Sequence, residues 1–127
     1  MTGFTGSIEV LTRQNTNFRR VLYTSQHQQL VLMSLQPGED IGLETHPTTD
    51  QFFRIEVGQG KVILDGVETV LTDGSAVIVP AGTNHNVVNT SQTEPLKLYT
   101  IYSPPHHADQ KVHVTKADAL ADTEDHL

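Results

Sequence analysis

Residues 74–89, GSAVIVPAGTNHNVVN, decide how the rest of the chain is read. Within them, 76–79 is a short apolar run closed by Asp73-Gly74 on one side and Pro80-Ala81-Gly82 on the other. Such punctuation marks a strand held between two turns. A second run, 85–89, follows Gly82 closely and opens on His85. The segment therefore reads as strand, tight turn, strand, with a histidine at the mouth of the turn.

The same pattern extends outward. Residues 18–23, 29–35, 51–57, 61–64 and 96–102 are rich in β-branched and large apolar side chains, and Gly, Pro, Asp and Asn separate them at short intervals. Asp65-Gly66, between KVIL and VETV, is a two-residue hairpin signature, because both central positions need positive φ. Many short strands at this spacing predict an all-β fold, a sandwich or closed barrel, of which a jelly roll is one solution. Ser103-Pro104-Pro105 stops the last strand, since proline cannot donate to a ladder. Beyond it, residues 104–127 form a polar tail. There Thr115 and Asp118 resemble a helix start and KADALAD would make two turns, while the final DTEDHL is expected to be disordered. No linker interrupts the chain, so one domain over 1–127 is expected, with its core at about 18–103.

Composition narrows the function. The 127 residues carry 8 basic and 15 acidic side chains, a net charge of −7, which repels phosphate backbones and anionic lipids. Nucleic acid and membrane are therefore not expected as partners, and no run approaches the roughly 18 apolar residues of a bilayer span. The first 20 residues lack the apolar run of a secretory signal, so the cytoplasm is the expected location. Without cysteine, disulfides and thiolate metal sites are excluded. Seven histidines are many for such a chain, and neutral imidazole is the commonest protein metal ligand.

Two of these histidines fall near other donors. In 38–58, GEDIGLETHPTTDQFFRIEVG, Glu44 and His46 stand two apart in an extended segment and leave on one face. Gln51 opens the next strand across a turn at Pro47, and His85 comes from the second segment. Two imidazoles, a carboxylate and an amide oxygen suit a mid-row divalent metal with open water positions.

These residues resemble the cupin family, whose pattern is G-x5-H-x-H-x3-4-E-x6-G followed by G-x5-P-x-G-x2-H-x3-N. The second motif is matched at Gly74, Pro80, Gly82, His85 and Asn89, and the first at Gly38, His46 and Gly58. Glu44 stands where the first histidine is usual and Gln51 where the glutamate is usual. The stretches NTNFRRVLYT, DQFFRIEVGQGKV, VPAGTNHNV and LKLYTIYSPP are similar to small members described as mannose-6-phosphate-isomerase-like, a similarity label that establishes no isomerase. The resemblance implies a jelly roll, a homodimer paired through edge strands and N-terminal segments with Phe18 to Tyr23 contributing, and one divalent ion at Glu44, His46, Gln51 and His85. The ligand charge stays at −1 while an imidazole gives way to an amide oxygen. That harder donor set favours Mn²⁺ or Fe²⁺ and leaves room for Zn²⁺ or Ni²⁺.

Other residues receive structural expectations. Phe53 and Ile55 continue the inward face of Gln51, Phe52 and Arg54 leave on the other, and Met33 is core. Asn89 closes a strand hydrogen bond. His106-His107 read as an exposed tail, with a lid over the barrel mouth as the other reading, and His27, His113 and His126 read as surface residues. The function expected is a metal-dependent enzyme acting on a small polar substrate, a sugar derivative or keto acid. The alternatives are a non-catalytic metal- or ligand-binding module and an Fe²⁺-dependent dioxygenase.

Overall fold

A computed structural model of the protein describes residues 2–125. A short helix α1 (Ile8–Gln14) precedes strands β1 (Arg19–Thr24), β2 (Gln29–Leu35), β3 (Asp50–Val57), β4 (Gly60–Leu64), β5 (Val67–Leu71), β6 (Ala76–Val79), β7 (His85–Asn89), β8 (Leu96–Ser103) and β9 (Val112–His113). Helix α2 (Lys116–Ala121) follows them. The strands form a six-stranded sheet ordered β6-β3-β8-β2-β1-β9 and a three-stranded sheet ordered β5-β4-β7. All pairings are antiparallel, and the two sheets make the jelly roll.

Turn chemistry fixes the register. Asp65 and Gly66 both adopt positive φ, 46° and 84°, and join β4 to β5 with Leu64 opposite Val67. Gly58 has φ 103°, and a Cβ there would meet the Pro95 carbonyl oxygen at 2.5 Å, so only glycine allows the strands to pass. The inward positions of β2, β3, β7 and β8 fill the core with Val31, Met33, Leu35, Phe53, Ile55, Val87, Leu96, Leu98 and Tyr102. Phe52 and Arg54 face outward, as alternation requires. Asn89 is a clasp: its Nδ2 donates to the carbonyls of Leu35, Gln36 and Glu94, a structural role in keeping with its expected one.

Three features depart from the sequence reading. The reading places no element at 8–14, yet α1 packs beside β3 and β8 and its Arg13 donates to the Glu56 carbonyl. The chain's own tail covers part of β1, since β9 pairs with Arg19 and Arg20. The tail is also more ordered than its composition suggests. A capping box at Thr115 and Asp118 starts α2 as expected. Of the DTEDHL segment, Asp122 to Asp125 is placed and anchored, correcting the expectation of disorder, while His126 and Leu127 lie outside the described residues.

Candidate metal centre

The two motif segments are stitched together at the site. Glu44 and His85 form an antiparallel bridge, each donating its N–H to the other's carbonyl at 2.9 Å. The Gly82 amide donates to the His46 carbonyl at 2.8 Å, and the Ala81 amide to Asp50 Oδ1 at 2.8 Å. The Pro80-Ala81-Gly82 turn thus aligns the segment carrying Glu44 and His46 against the start of β7.

The side chains converge accordingly. One ligand atom from each of Glu44, His46 and His85 lies within 4.8 Å of the others. The His46 and His85 rings are 5.2 Å apart, and Phe53 backs His85 at 6.2 Å. Gln51 enters from the first residues of β3, opposite Tyr102 in β8, whose ring meets His46 edge-on at 5.8 Å.

Hydrogen bonding sets the orientation. His85 Nδ1 donates to the Thr83 carbonyl at 3.0 Å, which leaves Nε2 as a bare lone pair. Gln51 Nε2 donates to Thr100 Oγ1 at 3.0 Å, which turns its carbonyl oxygen away from that partner. His46 Nε2, His85 Nε2 and Gln51 Oε1 are all buried and without a hydrogen-bond partner. Glu44 Oε2 lies 3.2 Å from His46 Nε2, within ion-pair distance of the imidazole. Buried polar atoms are normally satisfied, so three orphaned donor atoms of metal-binding type beside one carboxylate fit a divalent cation. Burial works to raise the Glu44 pKa, but the adjacent His46 imidazole and then the Arg19 guanidinium outweigh it and hold the carboxyl below its ordinary range.

The mouth of the site differs from the exposed-tail expectation for His106-His107. His106 lies over His46 with ring centroids 4.2 Å apart and stacks on Tyr102 at 5.5 Å. His107 is buried: its Nδ1 donates to Asp125 Oδ2 at 2.6 Å and its Nε2 accepts from the Tyr102 hydroxyl at 3.1 Å. Burial, with Glu44's charge adding to it, pushes the Tyr102 phenol well above its usual value, so it remains a neutral donor. His113 is likewise no surface residue; it is buried between Arg19 and Asp122. His27 is exposed as expected. The signal for the tail's return was available in Ser103-Pro104-Pro105, which ends β8 and lets His106 turn back over the barrel.

Residues 31–102, more than half of the chain, match the family described as cupin domain. The chain is a cupin. This cupin is 53% identical over 124 residues to the Bacillus subtilis (strain 168) protein YrkC, covering 93% of the chain and 66% of YrkC. It is 50% identical to protein L612 of Acanthamoeba polyphaga mimivirus, covering 83% of the chain and 68% of L612. The cupin thus spans about two thirds of the length of these relatives. Among solved structures, BH2720 of Bacillus halodurans superimposes with a TM-score of 0.91 at 49% identity over 94% of both chains. No helix among the described residues is long and apolar enough to cross a membrane.

Proposed function

We propose that this cupin is a metal-dependent enzyme for a small polar substrate, with one divalent ion held by Glu44, His46, His85 and Gln51. The observation that carries the reading is the set of orphaned buried atoms His46 Nε2, His85 Nε2 and Gln51 Oε1 beside the ionised Glu44. A bound ion would polarise a substrate carbonyl or hydroxyl oxygen. Around it, Tyr102 keeps a proton on its phenol oxygen, His107 and Asp125 fix that hydroxyl's direction, and His106 narrows access for water. Mn²⁺ or Fe²⁺ suits the oxygen-rich donor set, with Zn²⁺ or Ni²⁺ as the other candidates. Elemental analysis of protein purified without added metal tests the reading directly. About one equivalent of a divalent metal is expected, and a metal-free protein that takes up none of these ions overturns it.

Metal binding should stabilise the fold without creating it, because the barrel has its own apolar core. With metal at a hundred times its Kd, chelation should remove about 2.7 kcal/mol, or about 10 °C in Tm. The apo protein should still melt in one cooperative transition by calorimetry, and loss of that transition would contradict the prediction.

The ligands should contribute unequally. Glu44 supplies the site's anionic oxygen, whereas Gln51 supplies a neutral carbonyl. Glu44→Ala is expected to weaken metal affinity by at least about tenfold, and Gln51→Ala by less. Gln51→Glu should tighten binding near neutral pH. Two adjacent carboxylates raise one another's pKa, so that gain should fade as the pH falls. Competitive titration of the three variants decides, and wild-type affinity in Glu44→Ala would remove it from the ligand set.

A homodimer forms part of the same proposal. Across the outer face of the larger sheet, Ile78, Phe52, Ile101 and Leu30 occupy one cross-strand row, with Ile78 69% exposed. Pairing with a second copy would cover this row. Light scattering at micromolar concentration should give twice the chain mass, and Ile78→Lys should shift it toward the monomer.

A further inference from the structure

We propose that residues 115–121, with α2 as their body, form a flap over the cavity beside Glu44, latched by the Lys116–Asp40 ion pair, and that lifting it admits metal ions to the centre. This rests on the metal reading above and adds the control of entry. His46 Nε2, His85 Nε2 and Gln51 Oε1 are sealed from solvent. A hydrated divalent ion is far larger than one water molecule, so part of the surroundings must move before the ion is seated.

Two parts of the tail border the centre, and they are held very differently. On one side stand His106 and His107, whose backbone amides both donate to Oε1 of fully buried Gln29. His106 packs on His46 and Tyr102, and His107 is tied to Asp125 and Tyr102. Moving that side would break buried hydrogen bonds, which are costly to leave unmade. On the other side, Lys116, Ala119 and Leu120 of α2 line a cavity of about 230 Å³ that Glu44 also lines. No residue of α2 is buried. A helix of six residues has little stability of its own. Its ties to the barrel are Lys116 on Asp40 and the light packing of Ala119 against the core. The Lys116 and Asp40 side chains are 25% and 36% exposed, which places this pair in the weak, water-screened class.

The flap has firm posts at both ends. Before it, the Val114 carbonyl accepts from the Phe18 amide. After it, Asp122 is held by Lys111 and His113. Between them, the capping-box bonds of Thr115 and Asp118 lie inside the flap, so α2 can lift as one body without breaking them. The other half of the latch is fixed to the barrel. Asp40 Oδ2 accepts from Asn86 Nδ2 at 2.9 Å, and the Asp40 backbone bridges to Val88.

The test is stopped-flow transfer of Mn²⁺ into the apo full chain, and out of the loaded chain to excess chelator. Lys116→Ala and Asp40→Asn should each speed uptake and release together, by about twofold to fivefold, with Kd kept within about threefold of wild type. The Asn variant keeps an oxygen for Asn86. A change of charge alone acts oppositely in the two variants, since losing Lys116 favours a dication and losing the Asp40 charge disfavours it. Loss of a latch moves both the same way. The chain has no cysteine, so Ala119→Cys supplies a single thiol on the side of α2 that packs on the core. Its labelling by a maleimide should also quicken when either latch residue is replaced. Unchanged exchange rates in both variants, opposite effects of the two, or unchanged labelling would each overturn the proposal. A chain that takes up no Mn²⁺ overturns the metal reading instead, and the labelling rates then decide whether the flap exists.

Discussion

His85→Ala is expected to cost the centre at least about a hundredfold in metal affinity, since losing even an outer-shell partner of a metal ligand costs 10–100-fold. His85 is 0% exposed, and both its backbone and one of its ring nitrogens are tied down. Its backbone pairs with Glu44, and its Nδ1 is tied to the Thr83 carbonyl, so Nε2 has one direction in which to act. Alanine removes that lone pair while leaving the bridge to Glu44 intact. The fold should survive, because the substitution deletes an unsatisfied polar atom as well as ring packing against Phe53. Competitive titration against a chromogenic chelator, with a melt of each apo protein, checks both halves. Wild-type metal affinity in a folded His85→Ala protein would exclude His85 as a ligand and dismantle the proposed centre.

The barrel was legible because its turns carry local chemistry. Asp65-Gly66 needs positive φ at both positions and has it. Pro80-Ala81-Gly82 breaks the apolar runs where β6 ends and β7 begins. Period-two alternation placed Gln51, Phe53 and Ile55 inside, and all three are buried. The gathering of Glu44, His46 and His85 was readable only as motif spacing. The contact that produces it, the Glu44–His85 bridge, joins residues far apart in sequence through backbone atoms that carry no side-chain signal. The tail was misread for a physical reason. Its Asp, Lys and His residues have the composition of a solvated segment, yet they pair with one another: buried His107 with buried Asp125, and buried His113 with half-buried Asp122. Composition counts charges; it does not show which opposite charge each will meet. Arg19 was hidden in the same way, since Arg19-Arg20 looks like an exposed pair until the strand's alternation sends one of them inward.

The same tail ties the site to the stability of the whole chain. Lys111 and His113 hold Asp122, Lys116 holds Asp40, and His107 holds Asp125. Through His107 the last of these contacts reaches Tyr102, and Tyr102 stacks with His106 over His46. A residue near the end of the chain therefore helps set the shape of the proposed substrate entrance, and loosening it should be felt both in stability and in access to the centre.

Asp125→Ala should expose this dependence. Asp125 is 2% exposed; its Oδ2 accepts from His107 and its Oδ1 from the Ala108 amide at 3.2 Å. Alanine leaves a buried imidazole N–H without its acceptor, a loss of about 1–3 kcal/mol, which lowers Tm by about 5–10 °C in a chain of this size. Asp125→Asn keeps an acceptor oxygen and should lose less. Freed of Asp125, His107 no longer fixes the Tyr102 hydroxyl, so metal release to excess chelator should quicken. Acid should act in the same direction. Burial holds His107 below its ordinary pKa against the pull of Asp125. Asp125 also lies below its ordinary pKa, because His107 and the Ala108 amide outweigh its burial. For both groups the unfolded chain takes up protons first as the pH falls. The His107 contribution is complete above about pH 6.5 and declines below it, and that of Asp125 declines only below about pH 4. Wild-type Tm should therefore begin to fall between pH 7 and pH 5, with Asp125 still ionised and contributing. Calorimetric melts of wild type, Asp125→Asn and Asp125→Ala at pH 7 and pH 5 make the measurement, and an Asp125→Ala protein that melts with wild type at pH 7 would show that the tail is not anchored by this pair.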